Sequence, residues 1–306
     1  MELRRGKEYH IGAICLNAGR HALEFIITAN NYTKIFLPYY SCKVLLEPIE
    51  RLGIEYEFYF IDTRFEAVFD FDKIKPHEAF LYINYFGLKS GYVKSITSKC
   101  PNLIIDNAQS FFELPLPGVD TFYSPRKFFG VPDGAYLYCQ NSINIEINET
   151  TSFQRFDQLL RRIDQSAEEG YPYFVANENS LSHLSSGKMS ELTKNLLQSI
   201  DYDNISLIRR RNYEYLHRVL GSQNRLQIDL NPVKVPMVYP FLNGDLSLRK
   251  KLIDHRIYTA QYWPNVLDWC EKKSVEYNFA NELISLPVDQ RLEVKDLDKI
   301  IKIASE

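Results

Sequence analysis

The sequence predicts an α/β fold. A large domain carries a mostly parallel sheet sandwiched by helices, and a small C-terminal α+β domain follows. Three observations predict it. Short apolar runs alternate with segments of helical spacing through the first half of the chain. Strands that are apolar on both faces belong to a parallel sheet covered on both sides. Beyond a long helical stretch ending near Leu220, the pattern changes to a few well-separated strands and helices. The 306 residues are enough for two domains. The expected boundary puts 1–195 in the large domain and 196–306 in the small one, with the long helix linking them.

The elements follow in order. Gly19 to Thr28 opens on glycine and is mainly apolar at Ala22, Leu23, Phe25, Ile26 and Ile27, which reads as a helix. Lys34-Ile35-Phe36-Leu37-Pro38 is a short strand. Cys42 to Leu52 has apolar residues at Val44, Leu45, Ile49 and Leu52, again helical spacing, with Gly53 as its C-cap. Strands are expected at Tyr56 to Ile61, Ala79 to Ile83, Leu103 to Ile105, Thr121 to Tyr123 and Ala135 to Cys139. Ser190 to Leu220 reads as strongly helical. Val233 to Tyr239 and Leu283 to Pro287 read as strands, and Ser247 to His255 and Val294 to Ala304 as helices.

Composition excludes several classes. The formal net charge is −3, so no general attraction to nucleic acid is expected. The basic run Arg209-Arg210-Arg211 reads as a solvated helix face. Cys15, Cys42, Cys100, Cys139 and Cys270 are scattered and odd in number, which fits reduced thiols of a cytoplasmic protein and no zinc site. Met1 to Arg5 is charged and no run is long and apolar enough for a signal or a membrane span. The histidines, His21, His77, His183, His217 and His255 among them, show no metal spacing, and no metal is expected.

Polar residues stand where strands end. Asn84 follows Tyr82-Ile83, Asp106 follows Ile104-Ile105, and Ser124 follows Phe122-Tyr123. In open parallel sheets, sites form at the carboxyl ends of strands. Asp106 alone reads equally well as an N-cap for the next turn. About twenty residues later, Lys127 sits on a turn in Tyr123-Ser124-Pro125-Arg126-Lys127-Phe128-Phe129-Gly130. A lone lysine is usually a surface charge. The flanking rings instead predict an amine partly withdrawn from water.

The pair matches one chemistry. A lysine amine condenses with the aldehyde of pyridoxal 5′-phosphate (PLP), and a carboxylate keeps the pyridine nitrogen protonated, so the ring acts as an electron sink. Ala108 would let a flat ring lie against the backbone, and Gln109 would donate to the ring hydroxyl. Gly19 and Arg20 open a helix whose free N–H groups suit a phosphate, though a plain loop-to-helix turn explains them as well. Ser124 is a second expected phosphate contact.

At these residues the chain resembles the DegT/DnrJ-type family of PLP-dependent nucleotide-sugar aminotransferases, of PLP-dependent transferase fold type I. Asp106-Asn107-Ala108-Gln109 is similar to the family's Asp-x-Ala-Gln segment. Ser124-Pro125-Arg126-Lys127 with Gly130 to Gly134 is similar to its lysine turn. Gly19 to Leu23 matches an early Gly-x-x-Ala-Leu helix start. Leu37 to Cys42 resembles its Pro-x-x-Thr-aromatic segment, and Asn84-Tyr85-Phe86-Gly87 its His-x-x-Gly turn. The segments Leu252 to Thr259 and Leu283 to Pro287 resemble its small domain.

The resemblance implies Lys127 as the cofactor lysine and proton shuttle, and Asp106 as the partner of the ring nitrogen. It places Ala108 on one ring face, Gln109 at the ring hydroxyl, and Ser124 with the Gly19 and Arg20 amides on the phosphate. Cys42 stands where the family has a stacking aromatic, so Tyr40 or another ring is expected on the open face. Family members that dehydrate sugars carry histidine in place of this lysine; Lys127 favours transamination.

The implied reaction moves an amino group from a donor such as glutamate to a keto-sugar nucleotide, for surface polysaccharide or related sugar biosynthesis. A homodimer in the cytoplasm is implied, with no membrane and no nucleic acid. Two alternatives stand beside it: another PLP enzyme acting on an amino acid, or a non-catalytic protein of the same fold.

Overall fold

The structure is a computed structural model and describes residues 6–141, 147–182, 184–226, 229 and 235–306. Its strands are β1 (Ile14–Leu16), β2 (Lys34–Pro38), β3 (Glu55–Ile61), β4 (Ala67–Val68), β5 (Glu78–Ile83), β6 (Leu103–Asp106), β7 (Asp120–Tyr123), β8 (Ala135–Tyr138), β9 (Val238–Phe241) and β10 (Ile284–Pro287). Its α-helices are α1 (Gly19–Ala29), α2 (Leu46–Leu52), α3 (Ser90–Thr97), α4 (Asp157–Asp164), α5 (Ala167–Ser182), α6 (Glu191–Gln198), α7 (Tyr202–Leu220), α8 (Leu248–Asp254), α9 (Val266–Trp269), α10 (Val275–Glu282) and α11 (Val294–Ser305).

The first eight strands form one sheet in the order β1-β8-β7-β6-β5-β2-β3-β4. The central pairings, β7–β6, β6–β5, β5–β2 and β2–β3, are parallel. Strands β1, β8 and β4 pair antiparallel at the edges. The apolar runs explain the centre: Leu81, Ile104 and Leu37 are wholly buried. Parallel strands need crossovers, and α3 supplies one between β5 and β6. The architecture is the α/β fold expected, with helices flanking a mostly parallel sheet.

Two buried cores follow from this arrangement. The larger surrounds the sheet and also takes in Trp263, Val266 and Phe279 from late in the chain. The smaller joins α7, β9, α8, β10 and α11 through Tyr213, Leu216, Phe241, Leu252, Leu286 and Ile300. The late segments are tied to the sheet by named bonds. Glu276 Oε1 accepts the Ile61 N–H at 2.6 Å, Asn265 Nδ2 donates to Ser41 O at 2.9 Å, and Met237 N donates to Phe86 O at 2.9 Å.

Several element limits differ from expectation. The stretch read as one helix from Ser190 to Leu220 is two, α6 and α7. Asp201 caps the second by accepting from Asn204 N at 3.1 Å. A side-chain acceptor that captures an early N–H begins a new helix and leaves no ladder across the joint. The Cys42 to Leu52 segment starts as a 3-10 turn over Lys43–Leu45 before α2, and Gly53 closes it at φ 65°. The strand expected from Val233 begins at Val238; Val233 and Lys234 lie outside the described residues, as does His183.

Candidate active site

Three neighbouring parallel strands end side by side, and the polar residues stand on that edge. Asn84 follows β5, Asp106 is the last residue of β6, and Ser124 follows β7. Asn84 works on the scaffold. Its Oδ1 accepts the Lys89 N–H at 3.0 Å, and its Nδ2 donates to Ser90 Oγ and to Asn107 Oδ1, both at 3.1 Å. These bonds fix the turn after β5 against the segment after β6.

Asp106 is buried at the sheet edge, 7% exposed. Its Oδ1 accepts the Ala108 N–H at 2.7 Å, which bends the chain over the strand end. Burial pushes its carboxyl up from 3.8 to about 6; the Ala108 N–H and the charge of Lys127 pull it back down in part. Desolvation wins because a carboxylate loses more hydration here than one N–H returns. A positive group placed against this carboxylate would restore its charge.

Lys127 ends a 3-10 turn over Pro125–Lys127 that begins where β7 stops. The expected withdrawal from water is not what the fold provides. Phe128 and Phe129 are buried at 4% and 7%, while Lys127 itself stays exposed. The flanking rings enter the core and leave the amine at an open surface, Nζ lying 5.6 Å from the Tyr262 ring centroid. Lys127 and Asp106 act electrostatically on each other and on Cys42, which also feels Arg20. Lys127, Asp106 and Cys42 therefore lie within electrostatic reach of one another.

Gln109 is 1% exposed. Its Oε1 accepts the Phe86 N–H at 2.8 Å, and its Nε2 is buried with no hydrogen-bond partner. An unpaired buried amide is costly, so this donor points to a missing acceptor. Ala108 is half-buried beside it.

The early helix meets the same edge. An ideal Cβ on Gly19 would lie 3.8 Å from the Phe122 ring, an ordinary contact, so packing does not demand glycine and the absent side chain leaves room. Phe122 is the cross-strand partner of Asp106. No side chain caps α1 at Ala18, so the Gly19 and Arg20 amides keep their donors. The Arg20 side chain does not serve an anion. It is 6% exposed, ion-paired with Glu47, and donates to Ser182 Oγ at 2.7 Å. Only its backbone remains for the expected role.

Tyr40 departs from expectation. It is 0% exposed, and its hydroxyl has no partner. Its ring packs on Tyr85 at 5.7 Å, Trp263 at 5.0 Å and Phe279 at 5.6 Å. The bend after β2 turns Tyr40 into the core, so its ring has no face open to a cofactor. The ring beside Lys127 is Tyr262, which sequence reasoning missed; Gln261-Tyr262-Trp263-Pro264 carries no signal separating it from any core aromatic.

Among the described residues no cluster of His, Cys, Asp or Glu is placed to hold a metal ion. No described helix is long and apolar enough to cross a membrane. His21 is buried and bonded to Asn17 Oδ1 and, at 3.1 Å, to Leu184 O.

A scan against models of known protein families finds no match, nor does a search of curated proteins. Solved structures do match. A DegT DnrJ EryC1 StrS aminotransferase from Brucella abortus superposes with a TM-score of 0.67 at 15% identity, covering 96% of this chain and 85% of that one. Sugar aminotransferase CalS13 from Micromonospora echinospora gives 0.64 at 15%, covering 95% and 86%. NtdA from Bacillus subtilis, with bound cofactor PMP, gives 0.64 at 13%, covering 95% and 72%. At this identity the likeness is one of architecture: the chain has the fold of the DegT/DnrJ/EryC1/StrS sugar aminotransferases.

Proposed function

We propose that the protein is a PLP-dependent aminotransferase that moves an amino group from an amino donor, glutamate first among candidates, to a keto-sugar nucleotide. The observation that carries this reading is Asp106. Its carboxyl is buried at the end of a central strand, accepts the Ala108 N–H and lies within electrostatic reach of an exposed lysine. The name of one solved relative, sugar aminotransferase CalS13, supports a sugar as the acceptor; the nucleotide rests on the family resemblance.

The residues present fit PLP. Asp106 would pair with the ring nitrogen, and the unpartnered Gln109 Nε2 would donate to the ring hydroxyl. Ala108 would cover one face, and Ser124 with the Gly19 and Arg20 amides would hold the phosphate. PLP, when bound, supplies an electron sink for negative charge at the donor's α-carbon. Lys127 would hold the cofactor through its amine and would move a proton at that carbon, as base and then acid. Asp106 would keep the ring nitrogen protonated, its burial limiting competition from water. We further infer a cytoplasmic homodimer acting in surface polysaccharide or related sugar biosynthesis, on the family resemblance.

The test is a half-reaction. PLP-loaded protein is mixed with single amino acids, and its absorbance is followed. A donor-dependent shift to the aminated cofactor, reversed by a keto-sugar nucleotide, is expected. A protein that binds PLP but shows no shift with any amino acid is not a transaminase.

A further inference from the structure

A flat cofactor in this site needs a cover on each face, and the residues expected from the sequence provide one. The Ala108 N–H bonds Asp106 Oδ1 at 2.7 Å, which sets Ala108 beside that carboxylate. On the other side, Tyr40 has its ring enclosed by protein rings. Cys42 offers only a small thiol, pushed up in pKa by burial.

One ring does face the site. Tyr262 is half-buried, its centroid 5.6 Å from Lys127 Nζ. Burial pushes its hydroxyl up; Lys127 opposes that shift, and Cys42 adds to it. Tyr262 therefore lies within electrostatic reach of Lys127 and Cys42. It is also held in place. Phe86 packs against it at 5.9 Å and Trp263 at 5.6 Å. Phe86 is fixed at both ends of its peptide: its N–H goes to Gln109 Oε1 at 2.8 Å, and its carbonyl takes the Met237 N–H at 2.9 Å.

We propose that Tyr262 is the aromatic cover of the cofactor's second face. The ring comes from the loop before α9, late in the chain, and not from the segment after β2. The inference rests on the reading of the site as a PLP site. An aromatic stacked on a heteroaromatic contributes a modest, geometry-dependent stabilisation. Gln109 then has two tasks, since the Phe86 peptide it holds also backs Tyr262.

The test titrates apo-protein with PLP, following intrinsic fluorescence and the visible circular dichroism of the bound cofactor. Tyr262→Ala is expected to weaken PLP by about five- to tenfold and to change the dichroism. Tyr262→Phe keeps the ring and is expected to bind within about twofold of wild type, as is Tyr40→Phe. Tyr262→Leu keeps apolar bulk without the ring and stands in should the alanine variant fail to fold; it too is expected to lose affinity. Wild-type affinity and dichroism in both Tyr262→Ala and Tyr262→Leu would overturn the proposal, as would a loss in Tyr262→Phe equal to that in alanine. A wild-type protein that binds no PLP would sink the reading of the site itself, which is a separate result.

Discussion

The Gln109 side chain bonds the Phe86 N–H through Oε1 at 2.8 Å while its Nε2 lies buried and unpaired. One half of the amide is structural, and the other has no partner among the described residues. Gln109→Met removes both. The Phe86 N–H is then buried without an acceptor, which costs about 1–3 kcal/mol. Denaturant unfolding of the apo-protein should show that loss, and PLP should bind more weakly than to wild type. Undiminished affinity would mean that Nε2 does not meet the cofactor.

Burial of Asp106 costs stability at neutral pH. Its folded pKa, about 6, lies above the ordinary 3.8. The folded state holds that proton more tightly, so this group's contribution is full below 3.8 and is lost as pH rises through 6. Asp106→Asn keeps an oxygen for the Ala108 N–H and removes the buried charge. The apo-variant should be more stable than wild type at pH 7.5 by up to about 3 kcal/mol, a difference that vanishes below about pH 4. The same variant should lose transamination. Equal stability of the two proteins at all pH values would contradict this account of the site.

Two buried histidines act in the opposite direction. His10 and His21 are both 0% exposed, and both are lowered from 6.5 to about 4, chiefly by burial. Arg51 and Arg20 add to the shift of His21. Their contribution is full above 6.5 and is lost as pH falls toward 4. Each is worth up to about 3 kcal/mol, so together they outweigh Asp106 in that window. Melting temperature should fall between pH 7 and 4.5. His10 Nε2 donates to Phe111 O at 2.8 Å, and His10→Gln preserves a donor without a titrating ring. A shallower fall in that variant is expected; an unchanged slope would exclude His10 as a source.

Arg209 braces the lysine turn from below. It is 2% exposed, with Nε donating to Gln290 Oε1 at 3.0 Å and Nη1 to Met237 O at 3.0 Å. Its guanidinium stacks 4.7 Å over Phe128, and Gln290 Nε2 donates to Phe128 O at 3.1 Å. Burial lowers its pKa to about 10. Arg209→Met strands these acceptors and should cost about 3 kcal/mol in denaturant unfolding. A loss under about 1 kcal/mol would show that water satisfies the acceptors instead.

The sheet was legible because its strands are apolar on both faces: Ile104, Leu81 and Leu37 announce themselves in any order. Asp106 was legible because a charge at the end of such a strand is rare. Arg209 was not, since a basic run on a helix reads as a solvated face; burial of its first member depends on Phe128 and Gln290, far away in sequence. That Tyr40 packs among rings while Tyr262 stands beside Lys127 was hidden for the same reason. Which ring turns inward at a bend is decided by distant partners, here Trp263 and Phe279. Local spacing carries no trace of them.

The central claim is that Lys127 is the residue that takes the cofactor. Incubation with PLP, reduction with borohydride and peptide mass mapping test it directly. A single pyridoxyl adduct on Lys127, absent from Lys127→Ala, is the expected result. Adducts scattered over surface lysines and unaffected by that substitution, or no adduct at all, would contradict it.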